Sequence, residues 1–144
     1  MLNDHGCLPE GIHQMSLAEL RDAFGSFNGS DVRSRLFEKL ERYVEVLVRC
    51  AWYRWLLVDG SFVTSKQRPS DIDLVLVVDG SFDKETTLLP LHYAVMSARR
   101  VKRQYGFDLF VAPEGSEALD HWITYFSGVA GSPLRKGLVR LRHE

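Results

Sequence analysis

Two aspartates separated by one residue, Asp71 and Asp73, open an apolar run that continues as Leu74-Val-Leu-Val-Val78. In a β-strand alternate side chains share a face. Both carboxylates therefore point the same way, with Val75 and Val77 further along that face and Ile72, Leu74, Leu76 and Val78 on the other. Like charges at the mouth of an apolar strand repel and resist burial, so solvent, a basic side chain or a bound cation must compensate them. Paired carboxylates suit magnesium, which prefers oxygen donors. A third carboxylate, Asp108, lies between apolar neighbours in Phe107-Asp-Leu-Phe-Val-Ala112. If its strand runs beside that of the pair, three carboxylates converge. Such a group can hold two metal ions, one activating a nucleophile and one bridging phosphate oxygens. Asp108 can also serve as the base that takes the nucleophile's proton.

A five-residue string occurs twice, as Val58-Asp-Gly-Ser-Phe62 and Val78-Asp-Gly-Ser-Phe82. It is too short for a structural repeat, and the two copies lead into different segments. The second is followed by the polar Asp83-Lys-Glu-Thr-Thr87 and reads as a strand-to-helix turn. The first is followed by the polar loop Val63–Ser70 and then by the aspartate pair, so Gly60 and Ser61 read as a working loop. Lys66 and Arg68 are the first basic residues of that loop.

The elements that must position these residues follow from pattern. Residues 1–15 read as irregular. Ser16 and Glu19 have capping-box spacing and open a short helix to about Phe24. After a loop over 25–30, Ser30 or Asp31 caps a second helix to about Cys50, with Val32, Leu36, Leu40, Tyr43, Val44, Leu47 and Val48 as its apolar stripe. Trp55–Val58, Ile72–Val78, Phe107–Ala112 and Gly137–Leu141 read as strands, the second buried on both faces. Residues 84–104 and Glu114–Phe126 read as helices. The class is α/β (α+β): one domain, residues 1–144, with a small mixed β-sheet flanked by helices.

Taken together, Asp59-Gly60-Ser61, nine intervening residues, Asp71-Ile72-Asp73-Leu74 and the later Phe107-Asp108-Leu109 resemble the motif set of the nucleotidyltransferase superfamily with the DNA polymerase beta-type fold. The match covers about residues 54–112. Leu8-Pro-Glu-Gly-Ile-His13 and Lys136-Gly-Leu-Val139 look like a small bacterial branch of it. The resemblance implies transfer of a nucleoside monophosphate from a nucleoside triphosphate, ATP first among candidates, to a protein or RNA hydroxyl with release of pyrophosphate. Carried over, Gly60 and Ser61 hold the triphosphate, with Lys66 as a candidate phosphate contact. Asp71 and Asp73 ligate two magnesium ions, and Asp108 ligates the catalytic one and helps activate the hydroxyl. The resemblance also implies a protein partner, as in bacterial toxin–antitoxin or phage-defence pairs. The chain departs from the pattern at Asp59, where the superfamily prefers an apolar residue, and at Phe62-Val-Thr-Ser-Lys66, which lacks the glycine many active members carry. A catalytically silent binding or neutralising module of the same fold is the alternative.

Composition bounds the remaining classes. With 18 Lys+Arg against 19 Asp+Glu the net charge is −1, which disfavours nucleic-acid binding by bulk charge. A local RNA or triphosphate contact by Arg99, Arg100, Lys102 and Arg103, or by the basic tail Arg135, Lys136, Arg140 and Arg142, stays open. Cys7 and Cys50 make no disulfide framework, and His5, Cys7 and His13 match no zinc spacing. No apolar run is long enough to span a membrane, and the first residues do not read as a secretory signal, so a cytoplasmic protein is expected. Arg140 and Arg142 share a face of the last strand and read as guards of a sheet edge.

Overall fold

A computed structural model describes residues 2–25, 31–83, 85–129 and 131–142. The expected loop over 25–30 and the Ser30 cap fall, apart from Gly25, outside the described residues. The strands are β1 (Gly11–Met15), β2 (Tyr53–Asp59), β3 (Asp73–Val78), β4 (Asp108–Pro113) and β5 (Gly137–Leu141). The α-helices are α1 (Leu17–Leu20), α2 (Asp31–Leu47), α3 (Pro90–Met96), α4 (Ala98–Tyr105) and α5 (Glu117–Phe126).

The strands form one mixed sheet in the order β1-β5-β2-β3-β4. β5 and β3 pair antiparallel with β2, and β1 and β4 pair parallel with β5 and β3. The parallel β3–β4 pair needs a crossover, and α3 and α4 supply it. The expected mixed α/β class with a small sheet is what the chain adopts.

The two faces of β3 separate as strand alternation requires. Ile72, Leu74, Leu76 and Val78 enter the larger core with Leu40, Tyr43 and Leu47 of α2, Val95 of α3 and Val101 of α4. Val75 and Val77 enter a smaller core with Leu57, Ala112 and Leu138, closed by Leu119 and Phe126 of α5. Phe110 ties α5 down further, with Trp122 at 4.3 Å and Phe126 at 5.4 Å between ring centroids. β3 is thus buried on both sides, in keeping with its unbroken apolar run.

Several sequence expectations need correction. Residues 11–15 form an edge strand rather than an irregular segment, because β5 offers them a parallel partner in register Gly11↔Gly137 to Met15↔Leu141. The helix expected over 84–104 begins only at Pro90 and breaks at Ser97, which ends α3 and caps α4 by accepting from Arg100 N–H. β5 is internal, so Arg140 and Arg142 guard no edge. The Arg140 guanidinium lies 4.4 Å from the Trp55 ring centroid, and Arg142 pairs with Glu19 at 2.8 Å. The α2 stripe is rotated: Arg33 and Phe37 are buried in it, while Val48 is exposed. Among the described residues no helix is long and apolar enough to cross a membrane.

Candidate active site

The site forms where three neighbouring strands present aspartates at the same level. β2 ends at Asp59, β3 begins at Asp73 and β4 begins at Asp108. The register pairs Asp59 with Asp73 and Asp73 with Asp108. Residues paired directly across strands share a face, so the three lie in a row on the α5 side of the sheet. Asp71 stands just before β3, half-buried beside the turn that follows β2. The pairing on which convergence depended, β4 beside β3, is therefore present.

That turn is built by Gly60 and Ser61. Gly60 has φ +94°, open to glycine and strained for other residues. A Cβ there would meet the Asp71 carbonyl oxygen at 2.9 Å and the Asp73 nitrogen at 3.0 Å. The bare glycine thus lets the end of β2 press against the residues that carry the carboxylates. Ser61 N–H donates to Asp71 Oδ1 at 3.1 Å, and its hydroxyl donates to the same oxygen. The Ser61 oxygen also accepts from Ser70 N–H at 3.1 Å. Expected to hold a triphosphate, Ser61 here orients Asp71 and closes the loop that precedes it.

The loop is held from beneath by a residue the sequence reading placed nowhere. Arg33, fully buried on α2, donates to the carbonyls of Phe24 (3.2 Å), Phe62 (2.6 Å) and Thr64 (2.7 Å), and to that of Lys66. Those of Phe62, Thr64 and Lys66 lie in the loop beyond β2, outside the sheet ladder, and that of Phe24 lies in the helical turn Arg21–Gly25; such carbonyls need donors if buried. A planar guanidinium can serve several at once. Lys66 therefore contributes its backbone to the loop's support. Its side chain is exposed, off the lining of the cleft described next.

The cleft has a volume of about 550 Å³. Its floor is Asp59, Asp71 and Asp73; its opposite wall is Tyr125, Phe126 and Val129 from the end of α5 and the turn beyond it. Lys136 also lines it, and its Nζ lies 2.6 Å from Asp59 Oδ1 with both side chains largely buried. Gly137 follows that lysine: a Cβ there would meet the Pro9 carbonyl oxygen at 2.2 Å, so β5 can start tight against the segment that leads into β1 only with glycine. Asp108 sits beside Asp73 in register but is half-exposed and pairs with Lys102 at 3.1 Å.

Electrostatics single out Asp73. Desolvation, with the Asp71, Asp59 and Asp108 charges adding to it, pushes its carboxyl up to about 7, and Lys136 only partly offsets this. Burial likewise raises Asp59, against the opposing pull of Lys136. The Asp73 side chain has no hydrogen bond or ion pair within the described residues. A surplus of hard oxygen donors in a half-buried cleft is chemistry that suits magnesium, and a divalent cation would relieve the repulsion at Asp73. The donors are not gathered into a finished set: among the described residues no three His, Cys, Asp or Glu side chains are grouped to hold a metal ion.

Asp59 is the member to which the sequence reading gave no role, and Lys136 the one it gave only as part of a basic tail. A buried aspartate at the end of an apolar strand requires a cation, so Asp59 carried a usable signal. Lys136 stood in the basic tail Arg135, Lys136, Arg140 and Arg142, but nothing in its spacing pointed to Asp59, 77 residues away in sequence. No curated protein and no solved structure is detectably similar to the chain. Residues 1–142 match the model of a family of unknown function, DUF6932, and the chain belongs to that family.

Proposed function

We propose that this protein is a metal-dependent nucleotidyltransferase-like domain that moves a nucleoside monophosphate from a nucleoside triphosphate, ATP in the first instance, to a hydroxyl of a protein or RNA. The observation that carries the reading is the row Asp59, Asp73 and Asp108 across adjacent strands, with Asp71 beside it at the Gly60–Ser61 turn. The reaction class comes from the motif resemblance. Asp71 and Asp73 would hold magnesium, with Asp108 as the third candidate ligand. Bound there, the metal supplies charge neutralisation for the triphosphate and a more acidic attacking hydroxyl.

The chain's own residues take up the remaining work. Lys136 is the cation in the cleft itself and therefore the better candidate phosphate contact than Lys66. Gly60 keeps the floor free of side-chain bulk. In the transfer, the acceptor oxygen bonds to the α-phosphorus and the bond from that phosphorus to the bridging oxygen breaks. Pyrophosphate leaves with the bonding pair, and the acceptor proton passes to a carboxylate, for which Asp108 is the candidate. A protein partner supplying the hydroxyl, in a toxin–antitoxin or phage-defence pair, is what the motif resemblance implies.

One set of contacts favours the silent alternative. Asp59 is occupied by Lys136, Asp71 by Ser61 and Asp108 by Lys102, so three of the four carboxylates already have partners inside the protein. Calorimetric titration of ATP, GTP, CTP and UTP with magnesium, on wild type and on Asp71→Ala/Asp73→Ala, separates the two. Magnesium-dependent binding that the double variant loses while staying folded supports the enzyme. No binding to any triphosphate by the folded wild type overturns the stand-alone enzyme and leaves the silent module.

A further inference from the structure

The carboxylate floor accounts for one side of the cleft, and the aromatic wall opposite has no role in the reading above. That wall comes from the last turn of α5, where three aromatic residues divide unequally. Trp122 and Phe126 pack on Phe110 and belong to the smaller core. Tyr125 does not: it is 64% exposed, yet it lines the same cleft as Asp71 and Asp73. Among the described residues it is the one large, exposed hydrophobic side chain on that cleft, since Ile12, Val48, Leu89, Tyr93 and Leu134 lie elsewhere.

Its ring is nonetheless held. Tyr125 stands nearly perpendicular to Phe126, at 5.0 Å and 87°, and to Trp122, at 6.0 Å and 89° between centroids. Edge-to-face neighbours of this kind are favourable contacts that orient a ring without covering it. An aromatic side chain fixed in advance loses little conformational freedom when a ligand lies against it. The cleft thus has two chemically distinct sides. One is a charged floor suited to a cation-bound polyphosphate; the other is an apolar wall ended by an oriented, open ring. The ligand class with both features is a nucleotide, whose flat base stacks on an aromatic face regardless of base identity. A volume of about 550 Å³ lies within the range of small-molecule and cofactor sites.

From this arrangement we infer that Tyr125 is the base-stacking residue of the cleft, receiving the nucleobase of the triphosphate whose phosphates meet the Asp71–Asp73 floor. The inference rests on the nucleotide reading and adds the element that distinguishes a nucleoside triphosphate from bare polyphosphate. Because stacking engages the ring face and not base edges, the site discriminates weakly among ATP, GTP, CTP and UTP.

The test is calorimetric titration with magnesium of ATP and of inorganic tripolyphosphate, on wild type, Tyr125→Ala and Tyr125→Phe, with circular dichroism to check the fold. Wild type is expected to bind ATP more tightly than tripolyphosphate. Tyr125→Ala should weaken ATP about 5- to 150-fold, leave tripolyphosphate unchanged, and Tyr125→Phe should keep wild-type affinity. Equal affinity of wild type for ATP and tripolyphosphate, or ATP binding unaffected by Tyr125→Ala, overturns the stacking role and leaves the phosphate site standing. Failure of both ligands to bind wild type overturns the nucleotide reading and this inference together. A parallel loss of both ligands in Tyr125→Ala marks a structural role and also overturns it.

Discussion

The two copies of Val-Asp-Gly-Ser-Phe lie at opposite ends of the same strand pair, since β2 and β3 run antiparallel from Tyr53↔Val78 to Asp59↔Asp73. Their aspartates have opposite fates. Asp59 is buried against Lys136, and burial raises its carboxyl. Asp79 accepts from the hydroxyl and N–H of Ser81 and pairs with Arg54 at 2.5 Å, and these partners bring it down to about 2. Ser61 reaches across the chain to Asp71, whereas Ser81 folds back on the aspartate two residues before it. Phe62 is fully buried near Phe24; Phe82 packs edge-on to Trp52 at the surface of the larger core. The five residues alone encode a turn at a strand end. What lies across from the turn, a carboxylate row in one case and Arg54 with the Glu114 backbone in the other, decides whether it becomes a cleft or a cap.

The glycines should break the resemblance most sharply. Gly60→Ala forces an L side chain into φ +94° and drives its Cβ against backbone atoms of Asp71 and Asp73. A loss of about 3 kcal/mol in urea unfolding is expected, with displacement of the carboxylate pair. Gly80 has no positive φ, and a Cβ there meets one atom, the Glu114 carbonyl oxygen at 3.1 Å. Gly80→Ala should lower stability by about 1 kcal/mol or less. Equal losses for the two variants would mean that the two turns are energetically alike and the first is not specially built.

The cations come next. Lys136→Met leaves Asp59 buried without its partner, which is costly for a charge in such a setting. Asp59 can escape by binding a proton, so the expected loss is about 2 kcal/mol near neutral pH, shrinking as the solution is acidified. Arg54→Met removes a pair that water already screens, and the thermal midpoint should hardly move. Chemical denaturation of both variants near neutral pH and in mild acid checks the contrast. A Lys136→Met protein as stable as wild type would mean that water reaches Asp59 and that the cleft floor is open.

How far the sequence reveals this arrangement depends on range. β3, the mixed sheet and two members of the aspartate row, Asp73 and Asp108, are legible because apolar alternation is local and an Asp inside an apolar strand calls for compensation; Asp59, the third, was given no role. Residues 11–15 are not legible as a strand: they read as irregular, and their pairing is set by β5, more than a hundred residues later. Arg33 hides in a helical stripe for the same reason, since the carbonyls it serves at Phe62 and Thr64 lie about thirty residues on. Lys66 stood out because it is close in sequence to the Gly-Ser turn. The lysine that lines the cleft, Lys136, is brought there by the start of β5.

The pH dependence has the most diagnostic sign. Asp73, the register partner of Asp59, carries a proton in the folded chain up to about pH 7, whereas the unfolded chain releases it near 4. The folded state therefore holds the extra proton between those values. The stability this gives is fully present below about pH 4 and is lost as pH rises towards 7. Asp79 runs the other way. Its folded value of about 2 lies below the unfolded one, so its contribution is present above about pH 4 and is lost as pH falls towards 2. In buffer with a chelator, Asp73→Asn should be more stable than wild type near pH 8, and the difference should shrink on acidification to about pH 4. Asp79→Asn should be less stable than wild type at neutral pH, with the gap closing in acid. Stability curves from urea titrations across that range read both. If Asp73→Asn runs parallel to wild type between about pH 4 and 8, Asp73 is not under the repulsion of its neighbours. The main physical reason for a cation at this end of the sheet would then be gone.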